Sequence, residues 1–326
     1  MLWIEFLISS AVIIFCGTQL TKYADQISDH LQLGKAWVGI VLLGLVTSLP
    51  EAITCIVSIV SLNANDLAVG NLLGSNNFNP LLIVLMDIVY RRGSVTNAIT
   101  SHRSHSISAV AAVILVLIVL GELYYYDSIG GTLQARIGGG NILIIALYFV
   151  FMKSLARAQT PVEAGLTNPV HNVGRVWLKL FLSAALVVVG AMVLANSADK
   201  IAESTGLGRT FVGSIFLALV TSLPEMVVTI SAMKLGSFDL AIGNIFGSNM
   251  TNMFILALCD LLTPGPILST VSSTHVITGG LSIAIVLVAL VGINSNSKKT
   301  VFGIGIDSII MSVLFFGGTY VLYLIR

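Results

Sequence analysis

Two stretches of the chain set a carboxylate directly after a proline inside apolar sequence: Gly44-Leu-Val-Thr-Ser-Leu-Pro-Glu51 and Ala218-Leu-Val-Thr-Ser-Leu-Pro-Glu225. On a helix, residues three and four apart share a face, so Thr47 and Ser48 bring hydroxyls beside Glu51, and Thr221 and Ser222 bring them beside Glu225. Two further stretches supply neutral oxygens: Gly70-Asn71-Leu-Leu-Gly-Ser75-Asn76-Asn77-Phe-Asn79 and Gly243-Asn244-Ile-Phe-Gly-Ser248-Asn249-Met-Thr-Asn252. Asn71, Ser75 and Asn79 recur every four residues, which makes one polar helix face whose glycines admit a close neighbour. Carboxylate, hydroxyl and amide oxygens are hard ligands suited to Na⁺ or Ca²⁺. A charge at the middle of a bilayer helix costs about 2.5–3.5 kcal/mol, so Glu51 and Glu225 need a compensating partner, and these neighbours point to a cation.

The elements that must position these residues are membrane helices. Of 326 residues 56% are hydrophobic and 10% charged, with a mean hydropathy of +0.97, too little polar surface for a soluble globule of this length. At about 20 apolar residues per span, ten are predicted, near 2–24, 35–61, 66–90, 106–123, 139–157, 174–200, 209–235, 238–262, 274–293 and 301–324. Pro50 and Pro224 each remove an amide and clash with the preceding turn, so the second and seventh spans are expected to be broken helices. The first apolar run lacks the basic flank of a cleaved leader and reads as a retained span.

The chain repeats itself. At an offset of 174, residues 24–51 match 198–225 at 15 of 28 positions, and after a one-residue slip Asp66–Asn79 matches Asp239–Asn252 at 9 of 14, with Asp87 falling on Asp260. The expected organisation is a first half at 1–157, a short cytoplasmic linker at 158–172, and a second half at 173–326. Five spans per half force opposite orientations, so the fold class is an all-α membrane protein of two inverted five-helix repeats, an architecture that puts transporter sites where broken helices meet. With the N-terminus outside, eleven basic residues fall in cytoplasmic connections against four outside (Arg136, Lys200, Arg209 and Arg326), which favours that orientation.

The paired Thr-Ser-Leu-Pro-Glu and Gly-Asn-x-x-Gly-Ser-Asn-x-x-Asn blocks resemble the two alpha-repeats of the calcium/cation antiporter superfamily, in particular its prokaryotic Na⁺/Ca²⁺ exchangers. The resemblance covers all ten spans in layout. It implies that Glu51 and Glu225 are shared by Ca²⁺ and Na⁺ with the backbone carbonyls of Thr47 and Thr221. Ser48, Ser222, Ser75, Ser248 and the carbonyls of Gly44 and Ala218 would serve Na⁺. Related exchangers often place an aspartate at the central position of one repeat; Asn79 and Asn252 are both amides. Two glutamates balance one Ca²⁺, whereas three Na⁺ leave one positive charge, so the three-for-one exchange known in the family would be electrogenic. The resemblance further implies alternating access by sliding of the first and sixth spans against the other eight, in a plasma-membrane protein with no cofactor and, as a monomer, no partner beyond its ions and the bilayer.

Other readings compete. H⁺/Ca²⁺ exchange is disfavoured because its Gly-Asn-Ala-x-Glu motif is absent, K⁺-dependent exchange stays open, and a cation channel fits composition alone. An intramembrane hydrolase would need a base near Ser48 or Ser222, and no histidine or lysine is placed to serve. Asn71, Asn76, Asn244 and Asn249 read equally as braces behind the ligands. Asp25, Asp199, Asp87 and Asp260 sit near span ends and read as caps or partners of Arg91, Arg92 and Lys200. The histidines read as solvated, Tyr124–Tyr126 and Trp37 as interfacial anchors, and Cys16, Cys55 and Cys259 as scattered thiols without disulfide or zinc spacing.

Overall fold

A computed structural model describes residues 2–91, 93–129, 137–158, 173–204, 220–295, 299–301 and 303–325. Most of the expected linker and the start of the seventh span lie outside these. Among the described residues nine helices are long and apolar enough to cross a membrane, and the described end of the seventh span adds a further helix. The protein is an all-α, multi-pass membrane protein.

In chain order the helices are α1 (Leu2–Leu31), α2 (Lys35–Trp37), a π-helical segment (Val38–Leu43), α3 (Gly44–Thr47), α4 (Leu49–Val60), α5 (Asn65–Phe78) and α6 (Leu81–Tyr90). Then follow α7 (His102–Ile129), α8 (Gly139–Arg157), α9 (Val173–Ser204), α10 (Leu223–Lys234), α11 (Phe238–Cys259), α12 (His275–Ser295) and α13 (Ile306–Leu324). The expected breaks occur at Ser48 and Ser222, whose backbone angles nearly coincide at φ −85°, ψ 0° and φ −85°, ψ 9°. Each proline then opens the next helix, where a missing amide costs nothing.

Three features depart from the sequence reading. The second span is π-helical before its break. The third span is interrupted between α5 and α6 at Asn79-Pro80, whereas α11 runs through the corresponding Asn252-Met253, since only Pro80 lacks an amide. The last span starts at Ile306, not 301: Thr300–Val301 and Ile304–Gly305 pair as an antiparallel hairpin, which Gly303 turns at φ +81°.

The chain divides into two compact units, one of Met1–Pro50 with Gln159–Ser248 and the other of Glu51–Ala158 with Asn249–Arg326, so each draws on both sequence repeats. In the first unit α1 packs along α9 and against α10. Ile13, Ala191, Leu194, Ala198 and Val220 form its apolar core, with Phe6, Leu223 and Val227 around them. The outer side of α9 leaves Leu178, Phe181, Leu182, Leu186 and Val189 exposed, which suits lipid and not water. Asp25 meets Lys35 at 2.8 Å and takes the Ser237 hydroxyl at 2.5 Å. It thus has the structural pairing role read for these span-end aspartates, with Lys35 across a short connection as its partner.

In the second unit α12 lies against α7, α5 and α13, while α8 packs on α7 and α6 on α13. His105 is fully buried, His102 Nδ1 lies 2.9 Å from the Ile293 carbonyl, and His275 Nε2 lies 3.1 Å from Asp66, so these three are not the solvated side chains expected. Helix packing accounts for this, because each sits where a helix start meets another element. Tyr124 and Tyr125 are exposed as interfacial residues should be; Tyr126 is buried.

Candidate ion-binding site

Glu51 and Glu225 fall in different units, each three residues beyond the break of its span. In the first unit Thr47, Ser48, Thr221, Ser222, Glu225, Asn244 and Ser248 are all at most 1% exposed. Burying so many polar groups is sustainable only if they bond one another or a ligand. Thr47 Oγ1 donates to Asn244 Oδ1 at 3.2 Å and lies 3.1 Å from Ser248 Oγ, which reaches the Gly44 carbonyl at 3.4 Å. Asn244 turns its other end to α10, donating to Thr229 Oγ1 at 3.1 Å and to the Glu225 carbonyl at 3.5 Å. Asn244 therefore braces the two broken spans of this unit against α11. The hydroxyls of Ser48 and Ser222, at the breaks, are buried with no hydrogen-bond partner.

Glycine makes this packing possible. A methyl on Gly44 would stand 2.7 Å from the Gly247 carbonyl carbon, and one on Gly243 would stand 2.6 Å from the Ala36 carbonyl oxygen. Gly39 meets the Leu240 carbonyl and Gly247 the Ile40 carbonyl still more closely. The π-helical turn places Gly39 and Ile40 in this contact, a local widening that often marks functional helices.

In the second unit α5 and the far half of α11 exchange hydrogen bonds reciprocally. Asn76 Nδ2 donates to the Asn249 carbonyl at 3.3 Å, and Asn249 Nδ2 to the Asn76 carbonyl at 3.2 Å. Asn79 Nδ2 donates to Asn249 Oδ1 at 2.9 Å, and Asn252 Nδ2 to Asn76 Oδ1 at 3.0 Å. These bonds fix the amide flips. Each NH₂ end of Asn79 and Asn252 is held, which leaves both Oδ1 atoms buried without a partner. Both carboxylate oxygens of Glu51 and the hydroxyl of Ser75 are also buried without a hydrogen bond of normal geometry, although Ser75 is a polar neighbour of Glu51. Asn71 is half-buried, with Nδ2 unpartnered.

The candidate residues thus group as two buried polar clusters, one per unit. Ala218 lies outside the described residues. Among the described residues no three His, Cys, Asp or Glu side chains gather as a metal centre, so any cation held here needs hydroxyl, amide and carbonyl oxygens beside a carboxylate.

One neighbour was not apparent from sequence. Cys55, a turn beyond Glu51 on α4, has its Sγ 2.8 Å from Sγ of Cys259, and both are free, buried thiols. Their 204-residue separation hid the pairing. A membrane-permeant oxidant should consume both thiols as a disulfide, seen as two fewer alkylation sites after denaturation than in untreated protein, with no such loss in Cys55→Ser. Retention of all three alkylation sites would show that these sulfurs are not neighbours.

The chain matches the family model described as "Sodium/calcium exchanger protein" over residues 1–155 and 175–325. It is 27% identical over 272 residues to "Inner membrane protein YrbG" of Escherichia coli (strain K12), covering 78% of each chain. It is 40% identical over 118 residues to "Sodium/calcium exchanger MaX1" of Methanosarcina acetivorans, covering 36% of this chain and 33% of that one. Its fold matches a solved structure of the sodium-calcium exchanger NCX_Mj with a TM-score of 0.70 at 18% identity, covering 98% of this chain and 99% of that one. With the duplicated proline-carboxylate segments and the reciprocal amide lattice in place, the family match over nearly the whole length means that this chain belongs to the sodium/calcium exchanger protein family.

Proposed function

We propose that the protein is a secondary antiporter of the plasma membrane that exchanges Na⁺ for Ca²⁺ by alternating access, with its N-terminus outside. Glu51 and Glu225 supply the charge, and the carbonyls of Thr47 and Thr221 assist them. Ser48, Ser75, Ser222 and Ser248 with the carbonyls of Gly44 and Ala218 serve Na⁺. Asn79 and Asn252 line the centre as neutral oxygen ligands, and Asn71, Asn76, Asn244 and Asn249 stand behind the ligands.

The observation that carries this reading is the fixed orientation of Asn79 and Asn252. Their nitrogens are held by Asn249 and Asn76, which fixes the flips and leaves each Oδ1 as the buried atom without a partner, an acceptor that only a cation or a donor can use. In a site with two carboxylates and otherwise neutral oxygens, one Ca²⁺ is balanced and three Na⁺ carry one net charge across. Moving that charge is worth about 2.3 kcal/mol per 100 mV. The tight packing of α1 along α9 supports these helices moving as a pair.

Proteoliposomes loaded with Na⁺ and diluted into Na⁺-free buffer should take up ⁴⁵Ca²⁺, faster when an imposed potential favours outward movement of positive charge. Uptake driven by a pH gradient but not by Na⁺ would replace this reading with H⁺/Ca²⁺ exchange. A requirement for K⁺ on the same side as Ca²⁺ would add K⁺ to the coupling, and indifference to the potential would rule out three-for-one exchange.

A further inference from the structure

Asp87 and Asp260 occupy corresponding places near the ends of the third and eighth spans, and each caps the start of a helix from the other half of the chain, α13 and α8. Gly305 N–H donates to Asp87 Oδ2 at 2.9 Å, and Gly138 N–H donates to Asp260 Oδ2 at 2.7 Å. Each also takes an amide from the loop behind it: Val95 N–H on Asp87 Oδ1 at 2.7 Å, Ile267 N–H on Asp260 Oδ1 at 2.6 Å. A second carboxylate stands at each junction. Asp307 packs on Gly305 and Gly292 at the first, Glu122 on Gly138 and Gly140 at the second.

At the first junction hydroxyls serve both acids. Ser308 Oγ donates to Asp87 at 2.8 Å, while Thr96 and Ser94 reach Asp307 at 3.1 and 3.4 Å. The second junction has lost these donors. In the register that pairs Val95 with Ile267, Ser94 and Thr96 become Pro266 and Leu268, and in the register that pairs Gly305 with Gly138, Ser308 becomes Asn141. Asn141 is 0% exposed, yet neither of its amide atoms has a partner. Glu122, 8% exposed, accepts from Gly140 N–H at 3.2 Å and from the Tyr126 hydroxyl at 3.4 Å through Oε1, and its Oε2 has no hydrogen bond of normal geometry, although the Asn141 backbone N–H is a polar neighbour of the carboxylate. All three side chains converge on Gly138, whose amide bonds Asp260 and whose Cα faces the Glu122 carboxylate and Asn141 Nδ2. With no hydrogen bond to hold its flip, the Asn141 amide is free to present oxygen.

Two buried acids that share a junction without enough donors need a compensating charge. We propose that Glu122, Asp260 and Asn141 form a second cation site, which takes one hard divalent cation such as Ca²⁺ between the two carboxylates, with Asn141 Oδ1 as the neutral ligand. Two carboxylates neutralise one such ion, and all its ligands are oxygens. The ion ties the start of α8 to the ends of α7 and α11.

Tb³⁺, a luminescent Ca²⁺ substitute excited through nearby tyrosines, tests this in full-length protein carrying Glu51→Gln and Glu225→Gln, where the proposed transport carboxylates are gone. One saturable Tb³⁺ component should persist, be displaced by Ca²⁺, and weaken by roughly tenfold or more on adding Glu122→Gln. Where Glu122→Gln does not elute as a single species, Asn141→Ser, which restores the hydroxyl of the other junction, should weaken the same component. Absence of saturable Tb³⁺ binding in the double variant overturns the proposal. So does binding that neither Glu122→Gln nor Asn141→Ser changes, which leaves a proton as the compensating charge.

Discussion

Glu51→Gln is expected to abolish Na⁺-driven Ca²⁺ uptake while leaving the protein folded, and Glu225→Gln to do the same. Each substitution keeps the shape and removes one unit of negative charge from a residue that is at most 1% exposed. Two unit charges about 4 Å apart are worth about 4 kcal/mol at an effective dielectric of about 20, and a divalent ion doubles that. Desolvation returns much of the gain. A remainder of only about 2.8 kcal/mol would still weaken Ca²⁺ binding about a hundredfold.

Stability should move the other way or not at all, because Gln buries no charge, whereas both Glu51 oxygens lie buried without a hydrogen bond of normal geometry. The pairing of readouts separates a ligand from a packing residue: ⁴⁵Ca²⁺ flux lost with the thermal midpoint held or raised. A carboxylate kept only for packing would instead give flux close to the parent's, or flux and midpoint falling together.

How much of this was legible from sequence depends on whether the responsible residue acts locally. Pro50 and Pro224 are local devices, and the breaks lie where they require. Pro80 is the same device; it breaks the third span but not the eighth, where Met253 stands, and the repeat comparison could have exposed that asymmetry. The π-helical turn at Val38–Leu43 has no such mark in its own residues, since it answers to the α11 backbone some 200 positions away.

The same divide runs through the site. Periodicity put Asn71, Ser75 and Asn79 on one face, but which amides brace and which present oxygen depends on bonds between the repeats, as Asn79 to Asn249 and Asn252 to Asn76 illustrate. The capping roles of Asp87 and Asp260 could be read from their places at span ends. Their partners, Gly305 and Gly138, lie in different halves of the chain and could not.

Gly247→Ala should cost both transport and stability, and it tests whether the first unit needs backbone contact at α11. The new methyl would meet Ile40 with its Cα at 2.6 Å and its carbonyl carbon at 2.7 Å, and the carbonyl oxygen would be closer still. Backbone cannot rotate away as a side-chain tip can, so the π-helical segment and α11 must separate. Overpacking of this kind costs about 1–3 kcal/mol. Separation also breaks the links from Ser248 to Thr47 and the Gly44 carbonyl, which at 3.1 and 3.4 Å have little length to spare. The expected result is a lower thermal midpoint together with loss of Na⁺-driven uptake. Gly317→Ala, on the exposed side of α13 where a methyl meets nothing, should retain uptake and gain slightly in stability, because alanine favours helix over glycine by about 0.5–1 kcal/mol. Equal tolerance of both substitutions would mean that α11 does not approach Ile40 closely in the working protein, and that Asn244 and Ser248 reach the broken spans by some other arrangement.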